Sequence, residues 1–500
     1  MSLLIQGGLV FTGEGSRREG CDVLIENERI TRIGPDLAPL APAAVEIIDA
    51  RRCIVMPGLI NAHVHSNESF EQGATDNLPL ELWRLRTYPP FDAPVLSERD
   101  HFLRAMLCAI ISIKSGVTTL QDDVITPGYA APAAVAGACR AYRDIGIRAW
   151  VTTSLGDVGL IESHPFLEGL LPDAVKRALA ATPAPSAAEQ LALFRHNFAT
   201  WHGCEGRIRI ILGPRAPQRC SLALLQGATE LSEQCGVPVH THVLETRTQA
   251  VSAQQQHGRT LIAFMRDIGM LTPRLTINHG IWLTAEDVAL LAEHGCSVTH
   301  NPLSNLKLGS GLCPVRDLLD ASVNVALGTD GMTTSDTADL LSAMRAAALL
   351  HKLATTDYTR WVSAEEAFRL ATRGGAVSGL MGKDLGALEA GKLADVILLD
   401  RNAWSFLPLH DPITQLALSA SPEAVLTSIV GGRVVMRDRK LLFVDEVSLH
   451  EEIAEAAERF RRDLHPKMLS AAHSVESVFA EMYRKAIAEP IPHTINPKIG

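Results

Sequence analysis

The chain has 500 residues, 47% of them hydrophobic and 20% charged, with a formal net charge of −10. That length suits two or three domains, or one barrel with a satellite domain. The acidic balance and the lack of a basic stripe argue against a nucleic-acid partner. No apolar run approaches the ~18 residues of a membrane span. Nine cysteines, none in a CxxC pair, suggest reduced thiols in a cytoplasm rather than a disulfide frame or a cysteine zinc site.

In chain order, the first ~55 residues read as strands. Residues 3–11 form an apolar run without the basic flank or cleavage site of a signal peptide. Turns fall at Gly7-Gly8, Gly13-Glu14-Gly15 and Asn27-Glu28, and CDVLIENERITRIG alternates as a small antiparallel sheet would. MPGLINAHVHSNE follows. On a strand, His63 and His65 share a face. They could hold a metal, or be ordinary polar residues at a strand end.

From residue 59 helical stretches, such as 98–115 and 364–378, alternate with short apolar runs: GVTTLQDD, IRAWVTTSL, RIRIILGP, VPVHTHVLE, RLTINHG, CSVTHNP and NVALGTD. Residues 182–188 read as a loop. With LINAHVH there are eight strands for a (β/α)8 TIM barrel, an α/β fold that gathers function at the C-terminal ends of its strands. Those ends carry His63 and His65, Asp122 and Asp123, Arg215, His242 and Glu245, His279, His300 and Asn301, and Asp330. After about residue 385 strand texture returns in LGALEAGKLADVILLD and AVLTSIVGGRVVMRD, which could complete the N-terminal sheet. Residues 446–486 are amphipathic and helical, and EPIPHTINPKIG is a proline-rich arm. The expected layout is 1–58 and 386–445 as the two parts of a small composite β-sandwich, 59–385 as the barrel, and 446–500 as a helical tail and arm.

Five imidazoles and carboxylates at successive strand ends are hard to explain as isolated structural residues. His63, His65, His242, His279 and Asp330 together point to a metal centre. Of His240 and His242, the more C-terminal is expected at the barrel top. Imidazoles with a carboxylate suit Zn2+ or Fe2+, and such an ion lowers the pKa of bound water to ~7. Glu245, just past its strand, is placed to act as general acid and base.

PGLINAHVH, HTHVLET, INHG, HNPLSNLKLGSGLCPV and ALGTDG together resemble the amidohydrolase superfamily. Within it they resemble the cytosine-deaminase-like and chlorohydrolase-like branch, with its adenosylhomocysteine/methylthioadenosine deaminases and triazine hydrolases. The resemblance spans residues ~3–440. It implies His63, His65, His242 and Asp330 as ligands of one divalent ion, Zn2+ or Fe2+. It further implies Glu245 as proton shuttle, Asp330 as ligand and base, and His279 polarising substrate or water. The strand-four phrase RIRIILGPRAP has no lysine or glutamate that could bridge a second metal. The implied reaction is hydrolytic deamination of a nitrogen heterocycle. The same chemistry could instead release chloride, an alkylamine or a thiocarbamate or amide leaving group; a metal-free scaffold is the remote alternative. A cytoplasmic homodimer or homotetramer acting on a small molecule is the expected setting.

Departures from the branch concern substrate. Arg215 stands where adenosine-type relatives have a histidine, in GPRAP rather than GPHSP, and can reach a substrate oxygen or carboxylate, or serve in a salt bridge. The long first loop carries Trp83, which can stack on a flat ring or simply pack the loop. Thr334, Asn305 and His300 are further candidates for substrate contact, Asn305 being better suited to bracing a loop. These differences favour a heterocycle other than a nucleoside.

Overall fold

The computed structural model describes residues 2–12, 17–91, 93–125, 132–181 and 183–495. The Gly13-Glu14-Gly15 turn, Thr182 and the last five residues of the arm lie outside them.

Eight parallel strands close into a barrel. Strands one to three are Leu59–His65, Val117–Val124 and Arg148–Leu155. Strand four is split into Ile208–Ile210 and Gly213–Pro214. Strands five to seven are Val239–Val243, Leu275–His279 and Ser297–His300. Strand eight is Asn324–Leu327, continued by Asp330–Gly331. Its first part pairs with strand seven and its tip with strand one, Asp330 opposite Val64 and Gly331 opposite His65. A Leu212–Val239 bridge joins strands four and five. Asn61 on strand one secures the closing seam: its amide donates to Thr329 Oγ1 at 2.8 Å and its carbonyl accepts from Thr329 N at 3.1 Å.

The strands are buried along nearly their whole length, because helices cover the outside and side chains fill the inside. The expected helix at 98–115 spans Glu98–Lys114, opened by a capping box in which Ser97 accepts from Asp100 N and Asp100 from Ser97 N. The 364–378 helix contains one widened turn, 370–374, between Ala364–Arg369 and Gly375–Ser378. Gly374 and Gly375 press on the barrel there: a Cβ on Gly374 would meet Val325 O at 2.1 Å. The 182–188 loop is shorter than expected, since Ser186 and Glu189 form a capping box that starts the helix Ala187–Trp201.

The terminal segments share one nine-stranded sheet. Cys53–Pro57 lies parallel to Ser2–Phe11 and antiparallel to Val396–Asp400. The sheet curls on itself, so that Gly432, in a turn of the C-terminal part, packs against Asn27 and Ile25 of the N-terminal part. Leu3, Ile5, Val23, Val55, Val396, Leu398 and Ile429 make its enclosed core. The composite sandwich is thus one continuous sheet.

Barrel and sandwich are joined by a buried ion pair. Arg148 Nε and Nη2 each lie 3.0 Å from Asp395, whose Oδ1 also accepts from Gly431 N at 2.7 Å. Removing one partner of such a pair strands a buried charge at a cost of about 3–5 kcal/mol. Asp395→Asn is therefore expected to lower the unfolding free energy by about that amount, read from a denaturant titration.

Candidate active site

The site is assembled at the C-terminal ends of strands one, five, six and eight. His63 and His65, two apart on strand one, both face the barrel axis, their ring centroids 4.7 Å apart. His65 Nε2 is 3.2 Å and His63 Nε2 3.3 Å from Asp330 Oδ1, and His242 Nε2 is 3.3 Å from His65 Nε2. All four side chains are buried.

This spacing answers to a metal. A tetrahedral ion with bonds of 2.0–2.1 Å separates its ligand atoms by about 3.3 Å. Buried His63 Nδ1 has no hydrogen-bond partner, and Nε2 faces Asp330, itself a candidate ligand. A buried polar group without a partner is costly unless another ligand satisfies it. The outer nitrogens of the other two rings are committed: His65 Nδ1 lies 2.7 Å from Asp123 O and His242 Nδ1 2.7 Å from Arg215 O. Those carbonyls fix the tautomers and turn the Nε2 lone pairs inward. Burial holds His63 down to about 4 and His242 well below the usual imidazole range, which keeps both rings neutral and able to ligate. For His65 burial acts the same way, but the Asp330, Glu68 and Asp123 carboxylates outweigh it and hold the ring up to about 10. A positive charge is therefore favoured at this point. His63, His65, Asp330 and His242 can together hold a divalent ion.

Asp330 is itself fixed. Its Oδ2 accepts from Ser304 Oγ at 2.6 Å and its Oδ1 from Gly331 N at 2.8 Å. His279 Nε2 sits 3.8 Å from Asp330 Oδ2 and 3.8 Å from Glu245 Oε2. Its Nδ1 is held 3.0 Å from Asn305 Oδ1. His279 (φ +74°) and Asp330 (φ +67°) both have left-handed backbones. Non-glycine residues tolerate that at a cost of about 1–3 kcal/mol where surrounding structure enforces it, as at functional sites. Burial, with Asp330 and Glu81 adding to it and His279 opposing, pushes the Glu245 carboxyl up to about 7.

One cavity opens onto these groups, bordered by His65, His242, Glu245, His279 and Asp330. Of the residues expected at the substrate, Trp83, Arg215 and Thr334 line it. Trp83 is buried and packs edge-on to Tyr88 at 6.0 Å, and Arg215 Nε is 3.1 Å from Ser154 Oγ. Thr334 Oγ1 donates back to Gly331 O at 3.1 Å. Asn305 braces His279 rather than bordering the cavity. His300 does not border it either: fully buried, its Nε2 is 3.1 Å from His351 Nε2. The strand turns His300 outward to the helix Leu340–Leu350 side, away from the barrel mouth. His240 is also remote and pairs with Gln121.

Sequence reasoning missed Glu68, Glu81, His164 and Ser304. Glu68 borders the cavity and accepts from Tyr88 Oη and Thr333 Oγ1, each at 2.6 Å. Glu81 also borders it; Oε1 accepts from Thr246 Oγ1 at 2.9 Å, with Thr248 beside the same carboxyl. His164 lies on the wall farther out.

With this geometry in place, comparison with known proteins is direct. Residues 54–435 match the model of the amidohydrolase family, and the chain belongs to that family. It is 34% identical over 449 residues (88% of this chain, 95% of the relative) to a 5-methylthioadenosine/S-adenosylhomocysteine deaminase of Thermococcus onnurineus. It is 32% identical over 460 residues (91% and 98%) to a 5′-deoxyadenosine deaminase of Methanosarcina mazei. Among solved structures, it resembles a zinc-bound adenosine deaminase from Xanthomonas campestris (TM-score 0.81, 28% identity, 92% of this chain and 98% of that one). It also resembles the zinc complex of an atrazine chlorohydrolase from Arthrobacter aurescens (TM-score 0.82, 25% identity, 91% and 100%).

Gly328 tests the packing beneath the centre. A Cβ there would come within 2.4 Å of Asn301 Oδ1 and 2.9 Å of His63 Cβ. Gly328→Ala is expected to cost about 1–3 kcal/mol of stability by overpacking, seen as a lowered denaturation midpoint.

Proposed function

We propose that the chain is a hydrolytic deaminase of a nitrogen heterocycle, acting with one divalent ion, zinc in preference to iron(II). His63, His65, His242 and Asp330 would be its ligands. The observation that carries the reading is the pairing of this cluster with Glu245 and His279 at the inner end of one cavity. Bound there, the ion supplies the Lewis acidity that brings the pKa of water to about 7.

The chain's own groups do the rest. Asp330, held by Ser304, accepts the proton of the attacking water. Glu245, carrying a raised pKa, passes a proton to the ring nitrogen beside the attacked carbon. His279, steadied by Asn305, keeps its Nε2 beside both carboxylates, where oxygen charge develops. The carbon–nitrogen bond then breaks, and ammonia leaves with a carbonyl in its place.

The adenosine-derivative deaminases among the relatives return nucleosides to the first rank of substrates, despite Arg215. Two features of the cavity support this. Trp83 offers a flat face to a purine. The Glu81 carboxyl, on the cavity wall and with its pKa raised by burial, offers a hydrogen-bonding group to a hydroxyl or amine. A second reading, release of chloride or an alkylamine from a triazine, draws on the likeness to the atrazine chlorohydrolase and on the changed strand-four residue. The setting proposed is a cytoplasmic homo-oligomer; no helix among the described residues is long and apolar enough to cross a membrane.

Purified protein loaded with zinc should release ammonia from 5′-substituted deoxyadenosines or another aminated heterocycle. Chloride or alkylamine release without ammonia would replace this reading by the second. Glu245→Gln should lower kcat about 10²–10⁴-fold while metal analysis still finds the ion bound. Asn305→Leu should lower kcat about 10-fold or more with metal content unchanged, because His279 loses its brace.

A further inference from the structure

We propose that the C-terminal helix Glu476–Ala488 holds the outer wall of the substrate cavity, with Phe479 a positioning residue acting through His164 and Leu85. The proposal rests on reading this cavity as the substrate site.

Beyond the barrel strands, much of the cavity is walled by three segments. Helix Leu80–Thr87 contributes Glu81, Trp83 and Arg84; the short helix Leu160–Ser163 and the next residue contribute Ser163 and His164; helix Arg247–His257 contributes Thr248 and Ser252. Helices this short do not hold their shape in water alone and take it from tertiary packing. They are tied to one another by hydrogen bonds: Ser252 Oγ donates to Ser163 O at 3.2 Å, Gln256 Nε2 to Glu162 O at 2.7 Å, and Thr246 Oγ1 to Glu81 Oε1.

The C-terminal helix reaches all three. Glu476 pairs with Arg86 on the first at 3.1 Å. Phe479 meets His164 edge to face, their centroids 6.0 Å apart. Glu489, which ends the helix, accepts from Arg247 Nη2 on the third at 2.5 Å. Beneath these contacts Phe479 and Met482 join Leu85, Leu167 and Leu171 in an apolar cluster separate from the barrel core. Phe479 and Met482 are fully buried, yet neither borders the cavity. Their influence on a ligand must pass through the residues they hold.

Glu81 and the first turn of the third helix stand beside Glu245, and Leu160–His164 is the part of the wall that also faces outward. Arg84, Tyr88 and Arg219 also line a second, outer chamber, which Leu160, Ile161 and Glu162 border. The Leu160–His164 segment is thus the boundary between the chamber of reaction and the outer one. A substituent remote from the reacting carbon meets this boundary, and a bare base does not. The helix therefore sets affinity for the distal part of the substrate and leaves the chemical step alone.

The test compares Phe479→Ala with the wild type on adenine and on 5′-methylthioadenosine, with zinc content measured on each protein. Phe479→Ala should raise KM for the substituted nucleoside about tenfold, leave kcat within about twofold, and leave the kinetics of adenine within about twofold. Phe479→Leu should recover most of the loss. Hydrogen exchange should quicken at residues 80–87 and 160–171, with 59–65 and 324–331 unaffected. Glu476→Gln, which weakens the pair with Arg86 and the exposed one with His473 without opening a cavity, should quicken exchange at 80–87 and leave 160–171 unaffected. Equal KM changes for both substrates, a fall in kcat with loss of zinc, or unaltered exchange in both segments would overturn the proposal. If the wild type turns over neither compound, the deaminase reading fails on these substrates. Exchange then decides alone: quickened wall segments in Phe479→Ala support the helix's role, and unaltered ones overturn it.

Discussion

The pairing of the strand-eight tip with strand one is the constraint on which the rest depends. Asp330 and Gly331 lie alongside Val64 and His65, and that short ladder does two things at once. It closes a barrel whose other seams are continuous or bridged, and it sets a carboxylate oxygen 3.2–3.3 Å from two imidazole nitrogens. The left-handed backbone of Asp330 is the local cost of turning the chain there. Asn61, one turn of the pleat before His63, locks the seam from the other side. Fold closure and site assembly are therefore a single event. A register slip of one residue would turn His63 and His65 away from the axis and break the seam together.

Much of this was legible from residues alone because a strand has a period of two. His63 and His65 had to share a face, and His242 had to lie nearer the mouth than His240. Eight apolar runs ending in polar residues gave a barrel, and the family's phrases agreed. Legibility fell away where direction is set by packing rather than by period. His300 ends its strand as His279 does, yet its ring turns to His351. Asn305 and Ser304 stand next to each other on one short helix, and only the fold shows that one steadies His279 and the other Asp330. Glu68 and Glu81 were passed over because they sit in a six-residue 3-10 helix and a short α-helix, where no spacing shows which side chains turn inward. Glu81 offered one signal, a carboxylate between Leu80 and Leu82 that burial would force to find a partner; Glu68, between Asn67 and Ser69, offered none.

The cavity is graded in its chemistry. At its inner end several groups are held twice: His65 by Asp330 and Asp123, Asp330 by Ser304 and Gly331, Glu68 by Tyr88 and Thr333. Such mutual fixing suits a centre that must not reorganise as charge moves. The outer end is built of short helices and long side chains, elements that tolerate change more readily than the strands. Arg215 stands between, backbone carbonyl on His242 and guanidinium beside Ser154. Its side chain lines the cavity while its main chain orients His242.

The shared sheet of the two chain ends has a further consequence for synthesis. Cys53–Pro57 emerges from the ribosome early, but its antiparallel partner, Val396–Asp400, follows more than three hundred residues later. Through that interval one flank of a buried, wholly apolar strand is an open hydrogen-bonding edge. The nascent protein must keep that edge from sticking to other chains until the whole barrel has been made, so its yield in a cell depends on chaperone capacity as much as on the final stability of the fold.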